Sequence, residues 1–269
     1  MKTQEMLISP KIAAEILKNN PMNRRIKDYV VEDYARQMSA GLWREDTAEA
    51  IQIATDGELL NGQQRLTALI KANVTLKFTV ATDCDKEIFK FLDQHAKRTP
   101  GDVFYCAGIA SSINVAAGIK RYFNLKRGGH DLLKSRSAQI SPSEALSLYA
   151  SRNKYWDAAN NMCSVWYSKC QRMLTHSEIL GLYSFFFDIN EDDAFLFMDS
   201  LCNGDDLKIK SPIKQLREKL IFSKINKKFN LTNLQRTALI FKSWNLFRTG
   251  ESVKFLKYTP ETDNYPIAV

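Results

Sequence analysis

The chain has no run of about 18 apolar residues, the length a membrane-spanning helix needs, although 45% of its 269 residues are hydrophobic. Its first residues, Met1-Lys2-Thr3-Gln4-Glu5, lack the apolar core of a secretory signal. With 25% charged residues, the balance is that of a soluble globular protein. Cysteine is sparse: Cys84, Cys106, Cys163, Cys170 and Cys202 form an odd, scattered set. The nearest pair, Cys163 and Cys170, has no second pair or histidines at zinc spacing. Free thiols in a reducing cytoplasm, that of a bacterial host cell, are the expectation. Histidine is rarer still. His95, His130 and His176 are far apart, so neither a histidine metal cluster nor a Ser-His-Asp order stands out. No internal repeat or low-complexity stretch is evident.

What is present is concentrated in residues 56–70, Asp-Gly-Glu-Leu-Leu-Asn-Gly-Gln-Gln-Arg-Leu-Thr-Ala-Leu-Ile. Two turn dipeptides, Asp56-Gly57 and Asn61-Gly62, flank a short apolar run. A helical pattern follows, with Leu66, Leu69 and Ile70 on one face. A strand that stops at glycine and opens a helix aims backbone N–H groups at one point, and the helix dipole makes that point attractive to phosphate. Gln63, Gln64 and Arg65 fall in the first turn, where their donors can reach the same anion. The loop is not a P-loop, since no Gly-Lys-Ser/Thr follows the glycine. The competing reading is a plain Asn-Gly turn followed by a surface arginine.

Around this stretch the pattern is mixed. Ser9-Pro10 starts a helix that ends near Asn19-Asn20-Pro21. Residues 28–40 form a second helix, with Gly41 as its C-cap. Ile51 and Ile53 alternate as in a strand, residues 74–81 form another strand, and 85–92 a short helix. Helical periodicity then dominates at 100–125, 143–170, 176–202, 211–229 and 231–250. Ser141-Pro142-Ser143-Glu144 and Thr232-Asn233 are helix starts, and residues 126–130 form a loop. The expected class is α+β: a small mixed domain over residues 1–105, then a mostly helical domain over residues 106–269.

Charge is uneven. Residues 207–258 carry thirteen Lys/Arg against two acids, Glu218 and Glu251, while residues 188–206 carry seven acids and no base. Such a basic segment suits a nucleic-acid face, with Lys224, Lys227, Lys228, Lys242 and Arg248 as the candidate contacts. The alternative is a solvated helical surface balanced by the acidic segment. Trp244, beside Lys242, Arg248, Lys254 and Lys257, is the aromatic best placed for stacking on a base, or else faces the core. Trp156, Trp166, Tyr167, Phe185, Phe186, Phe187, Phe195 and Phe197 have the spacing of a packed helical core instead.

Residues 6–105 resemble the ParB/sulfiredoxin fold. The resemblance rests on Ile8-Ser9-Pro10 with its helix, Asn23-Arg24, Gly41-Leu42-Trp43, the segment from Asp56 to Leu66, and Asp93 through Arg98-Thr99-Pro100-Gly101-Asp102. ParB-like proteins hold nucleotide phosphates on a Gly-x-x-Arg loop, and Gly62-Gln63-Gln64-Arg65 stands in that place. The loop also resembles the nucleotide-using part of GmrSD-type restriction enzymes. The stretch from Lys242 to Tyr258 resembles the end of ParB-like phage and mobile-element proteins. Sulfiredoxin has a nucleophilic cysteine where this chain has Gln63, which speaks against sulfinic-acid reduction.

The resemblance implies a cytoplasmic nucleotide-binding protein of phage or mobile-element type, using ATP or CTP and acting on or near DNA. Asn23, Arg24, Asn61, Gly62, Gln63, Gln64, Arg65 and Arg98 are the expected nucleotide contacts. Phosphoryl transfer or NTP hydrolysis would need a carboxylate to hold Mg²⁺ or orient the nucleophile. Asp56, Glu58 and Asp93 are the candidates by position, with His95 as a general base. No metal-ligand set is expected from the protein alone. Two other classes compete: a non-enzymatic DNA-binding module, and a protein-interaction or anti-defence factor whose 188–206 segment meets a basic partner.

Overall fold

The computed structural model describes residues 1–20, 26–45, 47, 49–86, 99–127, 140–226 and 229–269. Its class is α+β, with one four-stranded sheet and eleven helices among those residues. The chain divides into two compact units, Met1–Lys97 and Arg98–Val269.

In the first unit, β1 (Lys2–Ile8), α1 (Pro10–Lys18), α2 (Asp28–Ser39), β2 (Ile51–Ala54), β3 (Leu59–Asn61), α3 (Gln63–Ala72) and β4 (Leu76–Cys84) follow in order. The strands lie as β1-β4-β2-β3. β4 runs antiparallel to β1 and parallel to β2, and β2 forms a hairpin with β3. Local chemistry sets the helix limits. The Ser9 hydroxyl accepts the Ile12 N–H at 3.3 Å, and Pro10 occupies the first helical position. α2 stops before Gly41, whose φ is +69°. Ala13, Val31, Ala35, Leu66, Ala68 and Leu69 from the helices meet Ile8, Ile51, Leu59, Phe78 and Val80 from the sheet in one core.

β1 has no counterpart in the sequence expectation. It is an edge strand whose first four residues are exposed, and only Met6 and Ile8 carry apolar character inward. Seven ladder pairs with β4, from Lys2–Thr82 to Ile8–Leu76, make it a strand. Pairing of that kind leaves no hydrophobic periodicity to read.

The second unit is helical: α4 (Pro100–Cys106), α5 (Ser112–Lys126), α6 (Pro142–Ser151), α7 (Asn153–Lys169), α8 (His176–Phe187), α9 (Glu191–Asn203), α10 (Pro212–Ile225) and α11 (Asn233–Arg248). The division falls at Lys97/Arg98 rather than at 105, because α4 packs on α5 and α6 and buries Phe104 in the helical core. Three long periodic stretches each resolve into two helices. Gly108 (φ +73°) and Ser111 (φ +52°) break the first, a non-helical Arg152 (φ −147°, ψ 41°) the second, and an extended Asn190 (φ −158°) the third. Capping boxes at Ser141–Glu144, Thr175–Glu178 and Thr232–Gln235 fix three starts. All five cysteines are free, and all but Cys106 are buried. No helix among the described residues is long and apolar enough to cross a membrane.

Candidate nucleotide-phosphate site at the start of α3

The β2–β3 hairpin turns at Asp56-Gly57. Ala54 N–H donates to the Glu58 carbonyl at 2.8 Å, and the Asp56 carboxylate accepts the Glu58 N–H at 3.3 Å. Asn19, the C-cap of α1, locks this turn from outside. Its carbonyl accepts the Leu59 N–H at 2.8 Å and its side-chain amide donates to the Asp56 carbonyl at 3.4 Å.

β3 carries the chain to the opposite end, where Gly62 caps α3. Its φ of +111° lies where residues other than glycine are strained. A Cβ there would also collide with the Ile51 Cδ1. No side-chain hydrogen bond caps this helix start, and the helix dipole places partial positive charge there. Gln63 and Gln64 are half-buried. The Gln64 side-chain oxygen is buried with no hydrogen-bond partner, as is that of Gln52, which pairs across the ladder with Asn61. A half-turn of the Gln64 amide exchanges that oxygen for an NH₂ donor.

Arg65 has a different place from the one its motif position suggests. It is buried, and its guanidinium donates to the Glu49 carbonyl and, at 3.0 Å, to the Ala50 carbonyl. It ties α3 to the chain entering β2. Arg65 thus makes a structural tie at the start of α3, beside the half-buried Gln63 and Gln64.

The candidate carboxylates sit elsewhere. Lys86, just past β4, bridges Asp56 at 2.6 Å and Glu58 at 2.7 Å. Glu58 is buried, while Asp56 and Lys86 are exposed. The hydrogen bond from Lys86 holds the Asp56 carboxyl below its ordinary range, and the bond to Asp56 raises the Lys86 ammonium in turn. This cluster lies at the turn end of β3 and Gly62 at the other, about 10 Å of strand away. Lys86 was not legible as a member, because nothing in its spacing relates it to the 56–58 turn. Asn23, Arg24, Asp93, His95 and Arg98 lie outside the described residues. Among the described residues no group of three or more His, Cys, Asp or Glu could hold a metal ion.

In the second unit the candidate nucleic-acid residues separate. Lys224 is exposed, whereas Lys242 donates to the Lys257 carbonyl at 2.9 Å and Arg248 pairs with Asp193 at 2.8 Å. Lys227 and Lys228 lie outside the described residues. Trp244 is not a stacking platform: it is fully buried against Phe186, its ring centroid 4.2 Å away, and its N–H donates to the Val269 carbonyl at 2.8 Å. Part of the basic excess is also internal. Buried Arg217 donates to the Leu201 and Cys202 carbonyls at 2.5 and 2.8 Å, and Arg236 pairs with Glu178 at 3.1 Å.

No protein-family model, curated protein or solved structure matches this chain.

Proposed function

We propose that the chain is a ParB-like nucleotide-binding protein of phage or mobile-element type, acting on or near DNA, which holds the phosphates of ATP or CTP at the start of α3. The observation that carries this reading is Gly62. A left-handed glycine pressed against Ile51 opens a helix that no side chain caps, the local geometry an anion site needs. The N–H groups of the first turn and the amides of Gln63 and Gln64 are the phosphate donors. Arg65 keeps them in place through the Glu49 and Ala50 carbonyls.

Binding without turnover is favoured over hydrolysis or phosphoryl transfer. Asp56 and Glu58 are both engaged by Lys86 at the far end of β3, so neither is poised to hold Mg²⁺ against a phosphate at Gly62. The test is displacement of a fluorescent nucleotide by ATP and by CTP, with and without Mg²⁺, run beside a phosphate-release assay. Displacement with no phosphate release supports the reading. Absence of displacement by either nucleotide removes it, and steady release that Asp56→Asn abolishes assigns turnover to the carboxylate cluster instead.

A further inference from the structure

A second candidate site lies in the helical unit, on a face that the motif residues did not point to. After α11 the chain runs without regular structure, and residues 253–257 are tied back by main-chain carbonyls. Lys219 on α10 donates to the Leu256 carbonyl at 2.8 Å, Lys242 on α11 to the Lys257 carbonyl at 2.9 Å, and the Val253 N–H to the Lys210 carbonyl at 2.9 Å. Between α10 and this segment is a groove of about 450 Å³, lined by Gln215, Glu218, Lys219, Phe222, Phe255 and Lys257.

Its aromatic walls are open. Phe222 is 54% exposed and Phe255 74%. Phe229, 62% exposed, extends the apolar wall with its ring 5.6 Å from that of Phe222. The Lys254 ammonium lies 5.5 Å over the Phe255 ring. Burial lowers the Lys219 pKa, and the nearby Lys257 and Lys242 ammoniums lower it further, as expected where positive charges are gathered without enough counter-charge. The acids within reach are Glu218 in the lining and Asp263, whose carboxyl is held low by the Thr259 N–H and by Lys242 and Lys257.

We propose that this groove binds single-stranded nucleic acid, a base stacking on Phe222 and Phe255 while the flanking phosphates meet Lys219, Lys254 and Lys257. Exposed aromatic faces alternating with ammonium groups match a polymer whose repeat joins a planar ring to a phosphate. A duplex keeps its bases stacked inside and offers the phenylalanines nothing. The proposal rests on the reading that the chain acts on nucleic acid, but on residues apart from the α3 loop.

The test uses the full chain and fluorescence anisotropy with a labelled oligothymidine of about 15 nucleotides and a duplex of equal length. The single strand binds more tightly than the duplex. Phe222→Ala and Phe255→Ala each weaken it by about tenfold, and Lys257→Ala lowers the slope of log affinity against log salt by about 0.7. Both phenylalanines are exposed, so circular dichroism and melting of the variants remain as in the parent. The proposal is overturned if the duplex binds as tightly as the single strand, or if the double phenylalanine variant keeps parental affinity. It is equally overturned if a peptide of alternating Glu and Tyr binds while the oligonucleotide does not. Titration of the same double variant with ATP and CTP separates the two sites. Loss of oligonucleotide binding by the parent with nucleotide binding retained refutes the groove alone, and the reverse refutes the loop alone.

Discussion

Arg65 shows how one side chain can satisfy a motif position while meeting a different need. A guanidinium buried at 8% exposure with carbonyl acceptors holds together two segments that would otherwise leave polar groups unpaired. Arg65→Ala is therefore expected to cost about 2 kcal/mol in urea unfolding without any nucleotide present. A surface arginine would cost nearly nothing. Gly62→Ala meets both a strained φ and the Ile51 side chain. It should destabilise by about 1–3 kcal/mol on the same measurement. At Lys86 the expectation is relational. Lys86→Ala leaves the buried Glu58 carboxylate without its partner and lowers the melting temperature, and adding Glu58→Gln recovers much of that loss. His176 gives a pH signature. Burial holds its imidazole below the ordinary value of 6.5, against an opposing contribution from the Asn160 backbone. The unfolded chain thus takes up its proton at higher pH than the folded chain does. The resulting stability is present above 6.5 and is lost as pH falls through the folded value. Melting temperatures between pH 7.5 and 5 should fall more steeply for the parent than for His176→Gln, and equal slopes would refute the assignment.

At the level of elements, legibility followed local chemistry. The starts of α1, α6 and α11 were readable because Ser9, Ser141 and Thr232 cap backbone N–H groups within their own turn. The strand-turn-helix at 56–72 was readable for the same reason, since glycine and short polar residues mark both turns. β1 was not, because an exposed edge strand owes its existence to β4, seventy residues away. The division of the long helical stretches was also hidden: apolar periodicity continues across Gly108, Arg152 and Asn190 while the backbone does not. Close approach of α5 and α8 left a faint trace in two glycines. A Cβ on Gly118 would lie 2.5 Å from Leu180, and one on Gly181 2.5 Å from Arg121 and 3.0 Å from the Gly118 carbonyl. Gly118→Ala should therefore destabilise by about 1–3 kcal/mol by forcing the helices apart, against a gain of up to about 1 kcal/mol expected for the same change on an open helix face. Denaturant midpoints decide the sign.

Over the whole molecule, composition was the least reliable guide to a site. The basic excess of residues 207–258 suggested a continuous face, yet Arg217, Arg236 and Arg248 are spent on carbonyls and acids of the same unit. Among the cations left exposed, Lys254 and Lys257 matter because they flank open aromatic rings, a juxtaposition created by the return of the C-terminal segment onto α10. At the candidate site the turn and the helix start were legible in residue type and order, but the place of Arg65 was not, because that depends on where its guanidinium finds carbonyl acceptors. The two units have separate cores. Residues 98–269 alone are accordingly expected to give a helical spectrum and a cooperative melt, and a non-cooperative melt would contradict the division. The central claim is that the start of α3 holds a nucleotide phosphate, and Gln63→Asp tests it most directly. A carboxylate in the first turn favours the helix dipole by about 0.3–1 kcal/mol while repelling a phosphate at the same point. Calorimetric titration with ATP and CTP should show binding by the parent and none by Gln63→Asp, with the variant melting at or above the parent. Absence of heat with either nucleotide in the parent, or equal affinity in the variant, would contradict it.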